Sequence, residues 1–211
     1  MLFLNMEPII LASGSPRRQE FFTLLGLPFS SIPSGAEESC DPALSPGAAA
    51  EELARTKVKT IAQIRPEAPW ICGADTIIVL EGKIYGKARD REEARATLRA
   101  LQGKTHEVIT AIALGGASKA LPGSAPGADK TICRSFTSTV TFAAMTEAEV
   151  EWYLDSGEWQ DAAGAYKIQG LASCFISRIE GSYSSIVGLP LREIYVMLRE
   201  NGYPYGAGYS S

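Results

Sequence analysis

The hydrophobic positions of this chain form short continuous runs and helical stripes that alternate along its first half. Ile9, Ile10 and Leu11 make a compact apolar run and predict a buried strand. Ser13-Gly14 interrupts it, and Ser15-Pro16 is a cap followed by a proline suited to the first helical position. Phe21, Phe22, Leu24 and Leu25 give that helix an apolar face, and Gly26 ends it. Residues 29–34 predict a second strand. Ser45-Pro46 opens another helix in the same style, with Leu53, Ala54, Val58 and Ile61 as its buried stripe. Residues 70–80 are the strongest strand signal: the run is almost continuously apolar, as a central strand should be, and rich in the β-formers Ile71, Ile77, Ile78 and Val79. Glu81-Gly82 predicts a turn and residues 83–86 a short returning strand. Asp90 with Glu93 is a capping-box pattern for a helix that runs to Leu101 before Gly103.

Strands dominate the second half. Residues 106–114 and 131–142 alternate in polarity, and the stretch 115–130 between them is rich in glycine, proline, serine and alanine, as a long hairpin tip would be. Thr146 with Glu149 caps a helix carrying Val150, Tyr153 and Leu154. Residues 161–170 are too rich in glycine for a helix and read as a loop. A strand over 173–179, a turn at Gly181 and a last helix faced by Leu191, Ile194, Tyr195 and Leu198 complete the pattern, with residues 202–211 expected to be a disordered tail. Strands and helices in this order predict an α/β fold: one domain over 1–211 with its core at about 8–201, built on a long, twisted, mixed β-sheet with flanking helices.

Composition narrows the function classes. The chain has 211 residues, 45% of them hydrophobic, which suffices for a substantial core. Its formal net charge of -4 argues against a general nucleic-acid coat. Cys40, Cys72, Cys133 and Cys174 show no C-x-x-C spacing and read as reduced thiols of a cytoplasmic protein. The apolar start, residues 1–6, lacks the basic region of a signal peptide, and no apolar run is long enough to cross a bilayer, so no membrane partner is expected.

Two features carry chemistry. At the start of the first helix, Arg17 and Arg18 lie where the macrodipole already places partial positive charge. With the Ser13 and Ser15 hydroxyls and free backbone N–H groups, they form a candidate phosphate cradle. The second is Asp75, in the middle of the most apolar strand. A buried carboxylate is costly unless paired, hydrogen-bonded or on a metal, so Asp75 is a catalytic or metal-ligand candidate. Lys57 falls beside the stripe of its helix; pattern alone would leave it in solvent. His106, the only histidine, reads as structural. Glu37 and Glu38 read as a solvated acidic pair by default. Gln169 offers both a donor and an acceptor, as recognition of a base edge needs.

These pieces coincide in order with one family. Ser13-Gly14-Ser15-Pro16-Arg17-Arg18, Glu37-Glu38, Leu53-Ala54-Arg55-Thr56-Lys57, Gly73-Ala74-Asp75-Thr76, Gly86-Lys87, Gly164-Ala165-Tyr166-Lys167-Ile168-Gln169-Gly170 and Val187-Gly188-Leu189-Pro190-Leu191 resemble the motifs of the Maf nucleoside triphosphate pyrophosphatases. The resemblance implies a fold like that of the inosine triphosphatases, two lobes around a cleft, and hydrolysis of a nucleoside triphosphate to the monophosphate and pyrophosphate. It is strongest to the branch acting on dTTP and UTP. Arg17 stands where a branch acting on 7-methyl-GTP carries tryptophan, and Thr76 and Gln169 match the dTTP/UTP specificity positions. By the same resemblance Asp75, Lys57 and Lys87 are catalytic, and Ser13, Ser15, Arg17, Arg18, Thr76 and Gln169 bind substrate. Glu38 and Asp75 would hold a divalent cation, Mg²⁺ or Mn²⁺, with Asp75 as base or as metal ligand. A homodimer is compatible with it. Removal of modified nucleotides and a link to cell-division arrest are further associations of the family. The competing readings are a nucleotide-binding regulator of septum formation with little catalysis, or a pyrophosphatase for purine or 7-methyl-GTP nucleotides. Two departures stand out: Ala88 follows Lys87 where the family usually has proline, and the 115–130 tip is long.

Overall fold

The computed structural model describes residues 6–36, 41, 43–117 and 131–205. Seven strands form one mixed sheet: β1 (Ile9–Leu11), β2 (Phe29–Ser31), β3 (Trp70–Leu80), β4 (Lys83–Tyr85), β5 (Thr105–Gly115), β6 (Ile132–Phe142) and β7 (Ile176–Glu180). The order is β2-β1-β3-β5-β6-β7, with β4 also paired to β3. β1 is parallel to both neighbours, while β3, β5, β6 and β7 run antiparallel in succession. The helices are α1 (Pro16–Leu24), α2 (Pro46–Ile64), α3 (Arg91–Leu101), α4 (Glu147–Asp155), α5 (Tyr183–Val187) and α6 (Leu191–Glu200). The predicted α/β class with a long mixed sheet and flanking helices is what the chain adopts.

Register explains where a cleft can form. β5 pairs with β3 from Ile71 to Val79 and occupies one edge of it. On the other edge β1 covers only Trp70 to Cys72, and β4 covers only Ile78 to Leu80. Between them the β3 edge at residues 73–77 has no ladder partner among the described residues, and Asp75 lies at the middle of this gap.

The central strands β3 and β5 are buried on both faces. Residues of β3 point alternately to opposite faces, as strand geometry requires. Ile71, Ile77 and Val79 pack with Ala54, Val58 and Ile61 of α2. Cys72 and Ala74 pack on the other side with Phe22 of α1 and Ile194, Met197 and Leu198 of α6. Further along that face Ile78 and Leu80 join a third cluster with Leu98 of α3 and Tyr153 and Leu154 of α4. The β3 gap falls where the second cluster gives way to the third.

Several boundaries differ from those the pattern suggests. The second strand stops at Ser31. Of the stretch 173–179, the first three residues belong to a 3₁₀ turn (Leu171–Phe175) and only Ile176 onward pairs with β6. The start of the supposed tail is packed: Tyr203 is buried edge-on against Trp70, centroids 5.3 Å apart, and its hydroxyl donates to the Glu7 carbonyl at 2.7 Å. Burial of the Tyr203 ring and the hydrogen bond of its hydroxyl outweigh the tendency of a chain end to stay disordered. The remaining tail, 206–211, and most of the 115–130 tip lie outside the described residues. No described helix is long and apolar enough to cross a membrane.

Candidate active site

A cleft of about 630 Å³ opens over the β3 gap. Its described lining brings together Ser13, Ser15, Arg17, Arg18, Lys57, Asp75, Thr76, Lys87 and Gln169, all of them sites that the sequence nominates. Glu38 lies outside the described residues.

The α1 end of the cleft is an uncompensated helix start. Ser15 occupies the N-cap position, but its hydroxyl makes no capping hydrogen bond, and the first turn holds no acid. Ser45, Asp90 and Thr146 do cap α2, α3 and α4 with their side chains. Ser13 is instead a hub: its Oγ accepts from the Ser15 N–H at 3.2 Å and from Arg18 Nη1 at 3.3 Å. Arg18 Nε donates to the Gly188 carbonyl at 2.9 Å and Nη2 to Thr76 Oγ1 at 3.4 Å, so its guanidinium is held in one orientation. Gly188 has φ 126, a conformation that favours glycine, and this turns the carbonyl towards Arg18. Arg17 reaches the far lip, where Nη2 meets the Asp161 carbonyl at 3.4 Å.

The α2 side supplies a buried ion pair. Lys57 Nζ lies 2.5 Å from Asp75 Oδ1, with the side chains 8% and 10% exposed. Lys57 is therefore buried rather than solvated, contrary to the default for a lysine beside an apolar stripe. Gly73 is the reason: a Cβ there would lie 2.6 Å from the Ala54 carbonyl oxygen and 2.9 Å from Val58 Cγ2. Only a bare backbone lets α2 sit this close to β3. Gly73→Ala should force α2 outward, destabilising the fold by about 1–3 kcal/mol and lowering activity by pulling Lys57 from Asp75. Chemical denaturation reads the first effect; an unchanged midpoint would mean that α2 shifts freely and that its depth does not depend on Gly73.

The opposite wall is the loop after α4. Ala163 forms an antiparallel bridge with Lys87, and the Gly164 N–H donates to the Gly86 carbonyl at 3.0 Å. These contacts tie the Lys87 backbone to the wall, so the alanine at position 88 does not leave the segment unsupported. His106, behind the wall and 2% exposed, meets the Tyr166 hydroxyl through Nε2 at 2.8 Å. Burial pushes its pKa down to about 4, so it is neutral at pH 7 and supports Tyr166, in keeping with a structural role. Lys167 also lines the cleft, a cation not singled out by sequence reading. Its place within the Gly164–Gly170 motif, two residues before Gln169, was the available signal, and residues 166–169 all line the cleft.

Among the described lining residues five cationic side chains (Arg17, Arg18, Lys57, Lys87 and Lys167) face two carboxylates, Asp75 and Asp161. This excess contrasts with the chain's net charge of -4. No cluster of three or more histidine, cysteine, aspartate or glutamate side chains suited to a metal occurs among the described residues. The cleft nevertheless fits one kind of cation. Asp75 supplies a hard oxygen, the described lining has no thiol or imidazole, and Mg²⁺ commonly takes one or two carboxylates and completes its shell with substrate phosphates and water.

An α/β fold whose central strand has a gap in the pairing along one edge, an uncapped basic helix start and a buried Lys–Asp pair in one cleft define a protein that accommodates a small polyanion. More specifically, the chain belongs to the Maf-like protein family, whose family model matches residues 8–201. It is 43% identical over 194 residues to a dTTP/UTP pyrophosphatase of Escherichia coli, covering 92% of each chain. It is also 43% identical over 197 residues to a dTTP/UTP pyrophosphatase of Desulforamulus reducens, covering 93% of this chain and 98% of the relative. Among solved structures, a nucleoside-triphosphatase/dITP/XTP pyrophosphatase of Mycobacterium abscessus aligns over 92% of this chain and 97% of its own at 14% identity, with a TM-score of 0.44.

Proposed function

We propose that this chain hydrolyses dTTP and UTP between the α- and β-phosphates, releasing the nucleoside monophosphate and pyrophosphate. The observation that carries the reading is the buried Lys57–Asp75 pair in the β3 gap, facing the cationic start of α1. The names of the relatives supply the substrate class.

The chemical problem is to bring water to a phosphorus ringed by negative oxygens. Arg17, Arg18 and Lys87, with the Ser13 and Ser15 segment, offset the triphosphate charge, and Lys167 adds to them. Asp75 orients the attacking water and accepts its proton. The new bond forms from water oxygen to the α-phosphorus, and the bond from that phosphorus to the bridging oxygen breaks. Pyrophosphate leaves with the electron pair, and the clamp of lysines makes it a good leaving group without a separate acid. Lys57 holds the Asp75 carboxylate fixed in direction. Asp75, together with Glu38, would hold Mg²⁺ or Mn²⁺, which when bound supplies further positive charge to the phosphates. Arg17, Thr76 and Gln169 face the base and select it. The cytoplasm, where nucleoside triphosphates are abundant and thiols stay reduced, is the compartment this chemistry suits.

Product analysis tests the reading. The enzyme should release pyrophosphate from dTTP and UTP far faster than from CTP, 7-methyl-GTP or ITP, and only with Mg²⁺ or Mn²⁺ present. Nucleotide binding without metal-dependent hydrolysis would instead identify a regulator. Preference for 7-methyl-GTP or ITP would move the chain to another substrate class.

A further inference from the structure

We propose that Thr110, on the strand beside cleft-lining β3, governs base preference by fixing the direction of the Thr76 hydroxyl. This rests on the pyrimidine-nucleotide reading above and extends it to a residue that does not touch the cleft.

Thr110 lies on β5 directly opposite Thr76 of β3 in the ladder and is fully buried. Its Oγ1 donates to the Ser185 carbonyl of α5 at 2.8 Å. That carbonyl can only accept, so it claims the single hydroxyl proton of Thr110. The two threonine oxygens are 2.9 Å apart, and a hydrogen bond between them then requires Thr76 to be the donor. Thr76 has no proton left for the cleft. Its oxygen presents lone pairs alone, in keeping with its acceptance of a hydrogen bond from Arg18 Nη2 at 3.4 Å.

The far end of the chain is anchored too. The Ser185 carbonyl also accepts from the Gly188 N–H at 3.0 Å, and the Gly188 carbonyl accepts from Arg18 Nε. The network closes on itself, so the polarity of each hydroxyl is set by two backbone carbonyls rather than by whichever ligand enters.

An obligate acceptor on the cleft wall distinguishes pyrimidines. Uracil and thymine carry an N3–H, a donor that Thr76 can satisfy. Cytosine carries a bare lone pair at N3, and two acceptors facing each other leave both unsatisfied. A hydroxyl free to rotate would donate to cytosine and erase the distinction. Thr110, by holding the rotor, is a positioning residue for specificity.

The test uses binding, so that it does not depend on turnover. Calorimetric titration with UMP and CMP gives a UMP/CMP affinity ratio for the full chain and its variants. Thr110→Val keeps the shape of the side chain but frees the Thr76 hydroxyl, and the ratio should fall at least tenfold. Thr110→Ser retains the donor and should restore the wild-type ratio, which a merely structural role for the β-branch would not do. Thr76→Val removes the acceptor itself and should collapse the ratio as Thr110→Val does, giving a second route if the buried valine prevents folding. A wild-type ratio in folded Thr110→Val or Thr76→Val, or a chain that does not prefer UMP at all, overturns the proposal. Failure to hydrolyse UTP with the UMP preference intact and lost in Thr110→Val would sink the pyrophosphatase reading and support the hydroxyl lock.

Discussion

Asp75→Asn should reduce kcat for dTTP by about 10³-fold while leaving a folded protein, because it removes the proton acceptor and keeps the shape of the side chain. The amide retains an oxygen that can accept from Lys57 Nζ, now 2.5 Å from Asp75 Oδ1. It cannot neutralise that ammonium, and leaving one partner of a buried pair uncompensated costs about 3–5 kcal/mol. The variant should therefore unfold at lower denaturant than wild type yet keep its far-UV circular dichroism at 25 °C. Steady-state assays at saturating nucleotide, with nucleotide binding measured in parallel, separate lost chemistry from lost structure. Turnover near that of wild type would remove Asp75 from the reaction and reduce the Lys57–Asp75 pair to a packing element.

What the sequence makes legible follows from how local each cause is. β3 is readable because its eleven-residue run is almost continuously apolar, and Asp75 is readable because it breaks that run. The helix starts at Pro16, Pro46, Arg91 and Glu147 are readable because caps and prolines act within one turn. The gap along β3 is not readable, since it arises from which strands pair at which register, a long-range outcome with no local signature. The depth of Lys57 is hidden for a related reason: it depends on Gly73 of another element, whose missing side chain matters only once α2 lies on β3. The Thr76–Thr110 contact likewise joins residues 34 positions apart, which become neighbours through strand register alone. Tyr203 shows the converse error, where nearness to the chain end conceals an aromatic residue that packs on Trp70.

Lys57→Met should lower kcat by about 10²-fold, and the physical content of that result lies in how it combines with Asp75→Asn. If Lys57 acts mainly by holding Asp75, the double variant should be no slower than Asp75→Asn alone, because a support contributes nothing once its load is gone. If Lys57 instead contacts phosphate independently, the two losses should multiply to about 10⁵-fold. The short Nζ–Oδ1 contact and the 8% exposure of the lysine favour the first outcome. Stability gives a second reading of the same cycle. Each single variant strands one buried charge, whereas the double variant pairs a neutral amide with a thioether and strands none. Its denaturation midpoint should therefore recover part of what either single substitution loses, while turnover does not recover at all. Activity and stability moving apart in this way is the signature of a charged pair kept for chemistry rather than for the fold. Recovery of both in the double variant would assign the pair to architecture.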